Sequence, residues 1–124
     1  MQLESALSFE TLYESILYML DGQESRFFRG DDTFSFSIVR EEDLVCLAQV
    51  RELHGYPVFD PLVIIALENG QAIPLRCVSE KHGQQDSRSM KGDWKAREEL
   101  LVFVGLWLKT LSDKGVLTLQ MPIQ

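Results

Sequence analysis

A chain of 124 residues is near the commonest size for one domain and can bury a core without disulfide or metal staples. Hydrophobic residues make up 45% and charged residues 25%, which excludes a disordered or fibrous chain, and no run reaches the roughly 20 apolar residues of a membrane-spanning helix. The net charge of −7 is uneven: 13 acidic residues and 4 arginines fall in residues 1–70, against 6 acidic and 8 basic residues in 71–124. The acidic half argues against direct nucleic-acid binding, where phosphate neutralisation supplies the affinity.

Residues 1–124 therefore read as a single α+β domain. The N-terminus has no basic region, so no secretory signal is expected and the cytoplasm is the expected compartment. There Cys46 and Cys77, each inside an apolar strand pattern, are expected to be reduced and buried.

In chain order, Phe9, Leu12, Tyr13, Ile16, Leu17 and Leu20 recur at helical spacing and predict a first helix, with Ser8 as N-cap and Gly22 as its left-handed stop. Residues 23–32 read as a charged connector carrying Phe27 and Phe28. Residues 33–39 alternate Phe34, Phe36 and Ile38 with Thr33, Ser35 and Ser37, the period of a strand with one wet face. A polar turn at 40–43 leads to a second strand at 44–53, the two forming a hairpin.

Residues 54–61 hold Gly55, Pro57 and Pro61 and read as a shaped loop. Next, residues 62–68, Asn69-Gly70 and 71–79 read as an apolar strand, a type I′ turn and a fourth strand. A two-residue turn sets Ala66 against Ile73, Ile64 against Leu75 and Leu62 against Cys77 as one core face. Val63, Ile65 and Leu67 with Ala72, Pro74 and Arg76 form the other face, too apolar for open water. Pro74, opposite Ile65, marks the fourth strand as an edge.

Residues 81–93 are polar and without period, and are expected to be a mobile loop. Asp93 is placed to cap a second helix with Leu100, Phe103, Val104, Trp107, Leu108 and Leu111 inward and a stop at Lys114-Gly115. Leu101, Val102 and Leu106 lie on its other sides, so this helix is expected to be covered on more than one side. Residues 116–124 alternate weakly, as a further strand would. The expected fold is thus an antiparallel meander of about four strands flanked by an N-terminal and a C-terminal helix. That order recurs in unrelated proteins. With small size and acidity it resembles bacterial secretion chaperones in outline, without a motif that carries any residue's role.

Chemistry-bearing patterns are sparse. His54 and His82 are the only histidines, and His54 with Tyr56 and Asp60 is the better candidate for an enzyme site, since the prolines restrict that segment. Cys77, Glu80 and His82 match no zinc spacing, so neither metal nor cofactor is expected. Arg29-Gly30-Asp31 spells an adhesion tripeptide, a three-residue match of no specificity. Lys81, Arg88, Lys91, Lys95 and Arg97 form a basic patch that suits an anion or acidic partner, or else sits beside the chain's own carboxylates. The expected function is a small acidic non-enzymatic interaction module: an adaptor, inhibitor or chaperone-like accessory protein. The alternatives are a small enzyme around His54 and Asp60, and an acidic nucleic-acid mimic built on Asp31-Asp32 and Glu41-Glu42-Asp43. The surplus of apolar faces further predicts a protein partner and a homodimer, with the interface on Val63, Ile65 and Leu67 or on Val102 and Leu106.

Overall fold

In the computed structural model, which describes residues 8–30, 34–79, 83–86 and 94–117, two helices lie on one side of a six-stranded antiparallel sheet. Helix α1 (Phe9–Leu20) begins where its capping residue requires: Ser8 is extended, and its hydroxyl accepts the Thr11 amide at 3.0 Å. It ends at Asp21, which is left-handed at φ 49 and returns its N–H to the Leu17 carbonyl. Arg26 from the neighbouring strand donates to the Met19 carbonyl at 2.9 Å, placing a cation at the negative end of the helix dipole. The buried stripe is Leu12, Ser15, Ile16, Met19 and Leu20, while Leu17 is exposed. The helix is thus rotated slightly from the face expected of it.

The strands β1 (Ser25–Arg29), β2 (Phe34–Glu41), β3 (Leu44–Leu53), β4 (Tyr56–Glu68), β5 (Gln71–Ser79) and β6 (Gly83–Asp86) pair in chain order. The α+β meander flanked by two helices is the expected fold, with two more strands. β1 lies in the segment read as a connector, and β6 lies within the expected mobile loop, the rest of which is outside the described residues. β4 also runs back through residues 56–61, because His54 (φ 54) and Gly55 (φ 84) make the same two-residue left-handed turn as Asn69 (φ 52) and Gly70 (φ 77). Between β1 and β2, Gly30 is required by space: a Cβ there would sit 2.7 Å from the Phe34 ring and 2.9 Å from its carbonyl oxygen.

The β4–β5 hairpin corrects the assignment of faces. Pairing follows the expected register from Glu68↔Gln71 to Ile65↔Pro74, then shifts at a bulge to Ile64↔Arg76, Val63↔Cys77 and Leu62↔Val78. The shift carries Cys77 onto the side of Val63 and Ile65. That side is the core: Val63 and Ile65 are fully buried and Leu67 is 6% exposed, in one cluster with residues of both helices. These three are therefore core and not an interface, because α1 and α2 cover the same face instead of dividing two faces between them. β5 is also not a simple edge, since β6 pairs with it from Arg76 to Ser79.

Helix α2 (Trp94–Asp113) buries Leu100, Leu101, Val104, Trp107, Leu108 and Leu111. Trp107 fixes its position, packing edge-on to Phe36 with ring centroids 5.3 Å apart and donating its indole N–H to Gln49 Oε1 at 3.0 Å. Gly115 (φ 81) donates to Ser112 O and Val116 to Leu111 O, a Schellman stop in which Val116 packs back on the core. The expected capping residue Asp93 and the tail from 118 onward lie outside the described residues. No helix among the described residues is long and apolar enough to cross a membrane.

Candidate functional site: the uncovered face of the sheet

With both helices on one side, the alternation of the strands presents a second set of side chains on the other, a face that neither helix covers among the described residues and that is called uncovered in that sense. The pairings align these into rows across the sheet. One middle row runs Ser25, Val39, Cys46, Ile64, Arg76, and the next runs Phe27, Ser37, Ala48, Leu62, Val78. Outside them lie Glu41, Leu44, Ala66, Ile73 at one end and Arg29, Ser35, Val50, Phe59 at the other. Among these, Phe27 is 69% exposed, Phe59 50%, Leu44 47% and Val39 43%. Cys46, Val50, Leu62, Ile64 and Val78 are half-buried. Ser37, Ala48, Ala66 and Ile73 in the same rows are buried. Single exposed apolar residues are ordinary on a protein surface; four of them on one face, each on a different strand and set among half-buried apolar neighbours, are not.

A groove of about 720 Å³ crosses this face over Val39, Leu44, Cys46, Leu62 and Ile64, with Glu24, Glu41 and Glu42 along its margin. Glu24 immediately precedes β1, and Glu41 and Glu42 belong to the β2–β3 connection, where Glu42 is left-handed at φ 58 and accepts the Arg40 guanidinium on its carbonyl at 2.9 Å. A smaller hollow of about 450 Å³ adjoins it between the end of α1 and Arg40. Arg76 reaches the same face, and its Nε is buried without a hydrogen-bond partner among the described residues. The middle rows are thus apolar apart from Ser25, Ser37 and Arg76, three glutamates and Arg40 border the β2–β3 end, and Arg29 stands at the other.

The two thiols lie on opposite sides of the sheet. Cys46 points to the uncovered face and is half-buried, less enclosed than expected; Cys77 points into the core, as expected. Two strand spacings put their Cα atoms about 10 Å apart, beyond disulfide reach. Burial raises both thiol pKa values, and for Cys77 burial together with the nearby Asp60 charge pushes it up to about 11.

The other candidate sites are dispersed. His54 is exposed at a hairpin tip and Tyr56 is 73% exposed beside it. Asp60 lies four residues further along β4, about 13 Å by strand rise, and holds Arg51 at 3.2 Å. Of the basic patch, Lys95 is exposed and Arg97 stacks its guanidinium over the Trp94 ring at 4.7 Å; Lys81, Arg88 and Lys91 are outside the described residues. Of the acidic mimic, Glu41, Glu42 and Asp43 are exposed on the β2–β3 turn, and Asp31-Asp32 are outside the described residues. Val102 (43%) and Leu106 (62%) are exposed one turn apart on α2, a two-residue patch. Among the described residues no three His, Cys, Asp or Glu side chains gather as a metal site would need.

Sequence reasoning found the surplus of apolar surface and offered Val63, Ile65 and Leu67 or Val102 and Leu106 for it; the first set is buried against the helices and the second is exposed. The bulge at Ile64/Ile65, which moves Cys77 to the helix side, has no signal within a continuous apolar run, and neither has the side of β4 that the helices take. No family model, curated protein or solved structure matches this chain.

Proposed function

We propose that this chain is a non-enzymatic protein-interaction module, an adaptor, inhibitor or chaperone-like accessory protein, that recognises its partner with the uncovered face of its sheet. The observation that carries this reading is the exposure of Phe27, Val39, Leu44 and Phe59 together on a face that neither helix covers. Placing such a field against a protein removes apolar area from water at about 25 cal/mol per Å², which is the usual driving force of association. The acidic margin of Glu24, Glu41 and Glu42 favours a partner whose apolar patch is bordered by lysine or arginine and disfavours an acidic one. Homodimerisation is the simplest form of this association. The cytoplasm is the proposed compartment, in keeping with two separated free thiols.

The test is affinity capture from cells of origin with the wild type and with Ile64→Glu and Val39→Lys, each checked for a wild-type thermal transition. The reading predicts partners captured by the wild type and lost with both variants. Equal capture by all three proteins would remove the sheet face as the recognition surface.

A further inference from the structure

The uncovered face has a polarity along its strands that selects among possible occupants. Glu41 stands in the row at one end and Arg29 in the row at the other, three row spacings or about 20 Å apart, so they cannot pair within one chain. Both are exposed. On β4 the bulky Phe59 stands at the Arg29 end, and on β3 the exposed Leu44 stands at the Glu41 end.

We infer that the occupant of this face is a second copy of the chain, related by a twofold axis lying between the two sheets and running across the strands; this rests on the reading of the face as an association surface. Such an axis lays each end row over the opposite end row of the second copy. Phe59 then lies over the Ala66 position of the second copy, Leu44 over Val50 and Val39 over Ser37, so the exposed apolar side chains of one copy meet the flatter positions of the other. Glu41 comes within one strand of Arg29 of the second copy, twice per dimer, across sheets about 10 Å apart, a gap these long side chains span. The other in-plane axis, along the strands, would lay the acidic β2–β3 ends over each other and is disfavoured by repulsion. The four rows hold 18 positions on β1 to β5, which at about 4.8 Å by 6.7 Å each make roughly 580 Å² in projection, the size of a weak, concentration-dependent interface rather than the ~800 Å² per partner of a standard one. Val102 and Leu106 alone make a patch far below that.

Sedimentation equilibrium of the full chain tests this with a charge swap. The wild type is expected at twice its 14.2 kDa. Glu41→Arg and Arg29→Glu should each weaken the dimer by about tenfold or more, and the double variant should return to within about threefold of wild type, since only a reciprocal pair is restored by reversing both charges. A double variant as weak as the singles overturns the arrangement, as does a dimer broken by Leu106→Glu but not by Ile64→Glu. A wild type that stays monomeric while its capture of other proteins still depends on Ile64 overturns the second copy and leaves the interaction face standing. If Ile64→Glu alters neither mass nor capture, the interaction face falls as well.

Discussion

The indole of Trp107 on α2 donates to Gln49 Oε1 on β3 at 3.0 Å, which makes a polar residue on the inner face of the sheet the anchor of the C-terminal helix. Gln49 lies opposite Phe36, and Phe36 packs edge-on to the same indole. The hydrogen bond and the ring contact therefore fix α2 along the sheet as well as against it. Trp107→Phe keeps a ring but leaves the Gln49 oxygen without its donor, and should lower unfolding free energy by about 1–3 kcal/mol in urea titration. Adding Gln49→Leu should recover part of that loss, because an apolar pair needs no donor. A single-variant cost under about 0.5 kcal/mol would show that the bond does not anchor the helix.

The thiols give a prediction with a definite sign. Cys77 has a folded-state pKa of about 11 against the ordinary 9.0, raised by burial and by Asp60. A raised value means that the neutral thiol is favoured in the folded chain, so the stabilisation is fully present below pH 9 and is lost as pH rises from 9 through about 11. Relative to Cys77→Ala, the wild type should lose stability across that window, measured by denaturant unfolding at a series of pH values. Parallel curves for the two proteins would contradict the burial of Cys77. In the same folded protein a water-soluble maleimide should modify Cys46 well before Cys77, since Cys46 lies half-exposed on the uncovered face.

Much of the fold was legible because its signals are local. Ser8 with the Phe9 to Leu20 period specifies α1, Asn69-Gly70 specifies a hairpin, and Lys114-Gly115 specifies the end of α2. β1 was not legible, because Phe27 and Phe28 are adjacent and point to opposite faces while Arg26 occupies the helix side to reach Met19, so no alternation of polarity marks the strand. The start of β4 was hidden by Pro57 and Pro61; the structure accommodates Pro57 opposite Glu52, and Pro61 falls where the β3–β4 register shifts between Ala48 and Val50. The candidate site was half legible. Residues 62 to 67 are apolar without interruption, so the sequence pattern shows that both sides of β4 are apolar but not which side the helices take. That choice depends on where α1 and α2 pack, a tertiary matter that no local spacing encodes.

The central claim is that the uncovered sheet face, and not α2, is where a protein binds. The most direct measurement is the solvent accessibility of individual methyl groups, read by paramagnetic relaxation from an inert soluble agent across a concentration series of the wild-type chain. The account predicts that the methyls of Val39, Leu44, Leu62 and Ile64 become protected together as concentration rises, while those of Val102 and Leu106 stay exposed. Protection confined to Val102 and Leu106, with the sheet-face methyls accessible at every concentration, would contradict it.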